Sequence, residues 1–127
     1  MALALLAEPP GMFGLRGAML IVDSSPAGVE IVSELRNAGF VIVQAAEFDC
    51  AREYLRHLRF DLVLVDLDED LAGARGLLNE VARSQPNALC LTTAKNRTAG
   101  LGLPIIHKPF SLGVMLQYAS WQPVAMT

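Results

Sequence analysis

From residue 18 onward, short apolar runs alternate with amphipathic stretches. Residues 18–22 (AMLIV) are apolar at every position, as in a strand buried on both faces, and Asp23-Ser24-Ser25-Pro26 ends the run. Ser25 suits a helix N-cap and Pro26 a first helical turn. The helix that follows carries Val29, Val32 and Leu35 on one stripe, with Ile31 and Ala38 beside it, and Gly39 marks its stop. Residues 40–44 form a second strand. A second helix over 47–58 turns Phe48, Ala51, Leu55 and Leu58 inward. The third strand, 62–65, lies between Asp61 and Asp66, and a third helix over about 74–84 presents Leu77, Leu78, Val81 and Ala82 before Pro86. Residues 88–91 give a fourth strand that ends at Thr92-Thr93. A short fifth strand, 105–106, leads into His107-Lys108-Pro109-Phe110. A last helix carries Leu112, Met115, Leu116 and Ala119 and fades at Trp121-Gln122-Pro123.

Strands apolar on both faces and separated by helices make a parallel sheet covered on two sides, a doubly wound five-stranded α/β fold. Only ten residues, 94–103, separate Thr93 from Pro104, and they include Gly100 and Gly102. They cannot hold a normal helix and its two loops, so the helix between the fourth and fifth strands is expected to be short or absent. That would flatten the face it covers and uncover an apolar floor of Leu101, Leu103 and Ile105, with Phe110 and Met115 nearby. Self-association as a homodimer, or partner docking, is expected there.

A chain of 127 residues is one domain's length. Residues 18–122 are read as that domain. Residues 1–17, with Pro9, Pro10, Gly11, Gly14 and Gly17, are read as a loosely ordered leader. The formal charge of −3 and the lack of any Lys/Arg-rich run argue against nucleic acid as a partner. Residues 1–6 are apolar but lack a basic flank and meet Glu8-Pro9-Pro10 at once, unlike a signal peptide. No segment approaches the ~20 apolar residues of a membrane span. Cys50 and Cys90 lie far apart without metal-ligand spacing and are read as buried, inert thiols in a reducing, cytoplasmic setting.

The polar residues at strand ends carry the chemistry. Asp23 follows the first strand, Asp66 the third, Thr93 the fourth and Lys108 the fifth. In a doubly wound sheet, ligands bind beyond the carboxyl ends of the strands, so these four converge on one edge. Two carboxylates, a hydroxyl and an ammonium suit phosphoryl transfer: carboxylates hold Mg²⁺, while cations and a hydroxyl neutralise phosphoryl oxygens. The run Asp68-Glu69-Asp70 reads as a solvated loop, His57 as an exposed helix residue and His107 as structural.

Taken together, Leu20-Ile-Val-Asp23, Asp61-Leu-Val-Leu-Val-Asp66, Thr93-Ala94 and Lys108-Pro109-Phe110 resemble, in order and rough spacing, the signature segments of response-regulator receiver domains of two-component systems. The resemblance spans residues 18 to about 120. It implies the strand order 2-1-3-4-5 and a phosphoacceptor role for Asp66, with no enzymatic turnover. By the same resemblance Asp23, Asp66 and the backbone carbonyl of Asp68 would form a Mg²⁺ site. Thr93 and Lys108 would bind the phosphoryl group, and Lys108-Pro109 is a candidate cis peptide. The implied partners are a histidine kinase or histidine phosphotransfer protein and a downstream protein. The last helix ends without a linker, which is read as a regulator without an output domain.

Three positions depart from the family. Ser24 replaces an acidic residue, which should weaken Mg²⁺ binding. Asp70 stands where a proline is usual, and Ile105 replaces the aromatic residue that reports phosphorylation. These departures keep open a pseudo-receiver that works by surface contact alone. Asp66-Leu67-Asp68 also resembles the paired aspartates of haloacid-dehalogenase phosphatases, but it follows the wrong strand in too short a chain. A flavodoxin-like cofactor binder would not lead its first loop with the anion Asp23.

Overall fold

A computed structural model describes residues 18–95 and 102–120. Within them lie β1 (Ala18–Val22), α1 (Pro26–Asn37), β2 (Ile42–Ala45), α2 (Phe48–His57), β3 (Phe60–Asp66), α3 (Leu71–Ser84), β4 (Leu89–Ala94), β5 (Ile105–His107) and α4 (Leu112–Ser120). The strands are all parallel in the order β2-β1-β3-β4-β5, the doubly wound sheet expected. Residues 95 and 102–104 are not helical, so no helix longer than residues 96–101 fits between β4 and β5, and the normal covering helix is excluded. Residues 96–101, the leader 1–17 and residues 121–122 of the expected domain lie outside the described residues. Among the described residues, no helix is long and apolar enough to cross a membrane.

The alternation of side chains along the strands builds two cores. Leu20, Val22, Val63 and Val65 face α2 and α3 and pack with Ala51, Leu55, Leu77 and Val81. Met19, Ile21, Leu62 and Leu64 face the other way, against Ile31, Val32 and Leu35 of α1 and Met115 of α4. The expected apolar floor is therefore not one surface. Leu103 and Ile105 are half-buried against the first core. Met115 is fully buried in the second, with Phe110 packed on it. Leu101 lies outside the described residues.

Local sequence explains several boundaries. Ser25 caps α1, its hydroxyl accepting from the Gly28 N–H, and Pro26 takes the first helical position. At the other end Gly39 adopts a positive φ of 102°, its N–H bonds to the Arg36 carbonyl, and the Phe40 N–H bonds to the Leu35 carbonyl. This is a glycine-terminated helix end, in which Phe40 packs back on the core that holds Leu35. The turn occupies residues 38 and 39, and the pairing with β1 begins at Ile42, so β2 starts there rather than at residue 40.

Asp70, expected in a loop, instead caps α3. Its carboxylate accepts from the Gly73 N–H at 2.9 Å, so the helix starts at Leu71 and not near Ala74. Three inward assignments fail: Val29 is 54% exposed, Leu58 is 43% exposed, and Ala82 faces solvent. On α1 the buried stripe is Gly28, Ile31, Val32 and Leu35, so a glycine begins the face that Val29 was expected to share. Cys50 is exposed on α2, contrary to the buried-thiol expectation. Cys90 is half-buried on β4, and burial pushes its thiol pKa up.

Candidate functional site

Register brings the site together. In the β3–β4 ladder Asp66 lies opposite Thr93, and in the β4–β5 ladder Thr93 lies opposite Ile106. Ala94 lies opposite His107, and the next residue, Lys108, donates its backbone N–H to the Ala94 carbonyl. Asp66 and Thr93 are both buried, at 8% and 0% exposure. Of the two adjacent threonines, Thr92 donates its hydroxyl to the Pro104 carbonyl at 2.8 Å, away from Asp66. Thr93 donates to Asp66 Oδ1 at 3.2 Å.

Lys108 enters the same oxygen. Its Nζ is 2.7 Å from Asp66 Oδ1 and 2.9 Å from Asp68 Oδ2, with only 5% of the side chain exposed. Burial alone would lower the ammonium's pKa, but bonding to Asp66 and Asp68 and the charge of Asp23 hold it above its usual value. The peptide bond from Lys108 to Pro109 is cis, as the sequence resemblance implied.

Asp23 is more deeply buried than Asp66. It is 3% exposed, its Oδ1 accepts from the Ser25 N–H at 2.8 Å, and its Oδ2 is buried with no hydrogen-bond partner among the described residues. Burial pushes its pKa up; the bond from Ser25 offsets part of this, while the nearby charge of Asp66 adds to it. A buried carboxylate oxygen without a donor, beside a second carboxylate, is the chemistry a cation relieves.

Asp68 has a role the sequence did not give it. Its carboxylate takes Lys108 Nζ on one side and the Lys95 backbone N–H at 3.1 and 3.2 Å on the other. Burial opposes ionisation of Asp68, but bonds from Lys108 and Lys95 outweigh it and hold the pKa below the usual value. Its side chain is thus engaged by Lys108 and by the Lys95 backbone. Ser24 is exposed, and its hydroxyl makes a long contact, 3.5 Å, to Glu69 Oε1.

Among the described residues, no three His, Cys, Asp or Glu side chains gather as a metal cage. The Asp23 and Asp66 carboxylates, one with a buried oxygen that no described residue donates to, nevertheless match Mg²⁺, which keeps several waters and commonly takes one or two protein carboxylates. The residues present therefore fit that ion.

His57 is exposed and pairs with Glu53 at 3.2 Å, as a helix-surface residue would. His107 is exposed at the end of β5. The position that sequence reasoning overlooked is Gly28, whose backbone lies against Asp23. A glycine inside an amphipathic helical stretch was the available signal, since such a residue weakens the helix unless something needs the space.

No family model and no curated protein sequence matches the chain. Solved structures do. A response regulator from Thermotoga maritima superposes with a TM-score of 0.69 at 24% identity, over 82% of this chain and 94% of that one. A response regulator protein from Burkholderia pseudomallei, determined with a phosphorylated aspartic acid, a calcium ion and citrate, gives 0.72 at 20% identity, over 87% of this chain and 69% of that one. A CheY-like response regulator receiver domain protein from Methanospirillum hungatei gives 0.68 at 17% identity, over 83% and 90%.

Proposed function

We propose that this chain, which folds as a response-regulator receiver, accepts a phosphoryl group on Asp66 and passes the signal on by protein contact. The donor in this reading is the phosphohistidine of a histidine kinase or of a histidine phosphotransfer protein, which places the chain's work in the cytoplasm. The observation that carries it is the pairing of Asp66 Oδ1 with both Lys108 Nζ and the Thr93 hydroxyl in a buried pocket. An ordinary strand-end carboxylate has no need of a threonine from β4 and a lysine that follows β5.

The chemistry is a displacement at phosphorus. With Oδ1 oriented by Lys108 and Thr93, Oδ2 of Asp66 forms the new P–O bond. The P–N bond to the donor histidine breaks, and the imidazole leaves with the electron pair and takes up a proton. The product is an acyl phosphate on Asp66, so the chain is a phosphoacceptor and not an enzyme acting on a released substrate. Such a transition state is loose and asks mainly for positioning and charge neutralisation. Lys108 supplies a fixed cation to the incoming oxygens. The Thr93 hydroxyl can rotate from Asp66 to a phosphoryl oxygen. Mg²⁺, when bound by Asp23, Asp66 and the Asp68 carbonyl, would neutralise further phosphoryl charge.

A second reading is a pseudo-receiver that acts by surface contact alone. The exposed, uncharged Ser24 and the capture of Lys108 by Asp68 favour it. Beryllofluoride with Mg²⁺, a mimic of the phosphoryl group, separates the two. Amide resonances of Thr93, Lys95 and Lys108 should shift in the native chain and stay in place in Asp66→Asn. Unmoved resonances in the native chain would leave only the second reading.

A further inference from the structure

Gly28 sits in the first turn of α1 and is buried. A Cβ at this position would lie 2.5 Å from Asp23 Cγ, 2.7 Å from Asp23 Cβ and 2.8 Å from Asp23 Oδ2. Because the stem of the side chain is blocked as well as its tip, turning the carboxylate gives no relief. Either Asp23 leaves its rotamer or the first turn of α1 moves off the sheet. Glycine is the poorest helix former after proline, so local propensity gives no reason for it here. Its φ does not call for it either, since the described glycines with positive φ are Gly39 and Gly102.

We infer that Gly28 is a positioning residue for Asp23: lacking a side chain, it lets the first turn of α1 close over the carboxylate. The closure seats Oδ1 on the Ser25 N–H and keeps Oδ2 out of water and without a donor. One short segment thus provides the carboxylate, the hydroxyl that caps the helix and the gap into which the carboxylate fits.

The importance of Asp23 for Mg²⁺ rests on the function proposed above; the steric coupling of Gly28 to Asp23 does not. A double-mutant cycle and a metal titration test them separately. Gly28→Ala should destabilise the native chain but stabilise Asp23→Gly, which lacks the Cβ as well as the carboxylate, so that alanine's better helix propensity acts without the clash. By calorimetry, Gly28→Ala should bind Mg²⁺ about tenfold more weakly, the scale of loss when a group that orients a metal ligand is changed. Equal destabilisation in both backgrounds, or unchanged Mg²⁺ affinity in Gly28→Ala, overturns the inference. If the native chain binds no Mg²⁺, the proposed function is at fault, and the sign reversal in the stability cycle still decides the role of Gly28.

Discussion

The two ends of the sheet bury polar groups in opposite ways. At the amino-terminal end, Gln85 closes α3 and is 6% exposed. Its Oε1 accepts from the Phe60 N–H at 2.8 Å, and its Nε2 donates to the carbonyls of Leu55 at 3.2 Å and Leu58 at 2.8 Å. One neutral amide joins the end of α2, the start of β3 and the end of α3, with its polar atoms matched. At the carboxyl-terminal end, Asp66 and Asp68 share Lys108 while Asp23 stands near both charges, and Asp23 Oδ2 has no hydrogen-bond partner among the described residues. A satisfied neutral network stabilises a fold, whereas crowded like charges oppose it. The first end holds the chain together; the second is held together by the rest, as expected where function outweighs stability.

That contrast breaks most visibly at Gln85. Gln85→Ala strands a buried N–H and two carbonyls and should destabilise the domain by about 3 kcal/mol. Urea unfolding measures this, and beryllofluoride-induced shifts at Thr93 and Lys108 should persist while the variant remains folded. A loss of only a few tenths of a kcal/mol would mean that the amide is not the clasp described.

Asp23→Asn should act in the opposite direction, raising stability by about 1–2 kcal/mol at neutral pH, because it removes a buried charge with an unpaired oxygen. The sign with pH follows from the raised pKa of Asp23. The native state binds this proton more tightly than the unfolded state, so stability falls as pH rises from the unfolded-state value through the elevated one. Native and variant chains should therefore converge in acid and separate towards neutrality. Equal separation at every pH would contradict the burial argument.

Asp68→Ala is the smallest expected change. It gives Lys108 wholly to Asp66 and removes one negative charge from the path of an anionic donor. Labelling of Asp66 by acetyl phosphate should accelerate about threefold, equivalent to ~0.7 kcal/mol. The lowered pKa of Asp68 contributes stability above the ordinary carboxylate range that is lost as pH falls through its own value, so the variant should lose less stability on acidification. Slower labelling would show that Asp68 assists the reaction.

The division between the two ends also marks what the sequence could convey. The parallel sheet and its two covered faces followed from apolar runs such as 18–22 and 62–65, a local property, whereas the strand order came from the resemblance to receiver domains. Asp23, Asp66, Thr93 and Lys108 were legible because a parallel sheet aligns strand ends, so position in the chain specifies position in space. Contacts set by side-chain direction were not legible. Nothing local distinguishes Gln85 as a clasp from a surface glutamine, or Asp68 as the partner of Lys108 from a loop carboxylate. Val29 and Gly28 were exchanged for a similar reason: the inward face of α1 is set by how closely its first turn approaches Asp23, a fact of packing. Cys50 was misplaced because cysteine's general preference for burial says nothing about which side of α2 residue 50 occupies.

The central claim, that the charged end exists to take up a phosphoryl group on Asp66, is tested most directly by intact mass spectrometry after incubation with acetyl phosphate and Mg²⁺. The native chain should gain a single phosphoryl adduct that is lost on brief alkaline treatment, as an acyl phosphate would be, and Asp66→Asn should gain none. An unmodified native chain, or an adduct that survives in Asp66→Asn, would contradict the account.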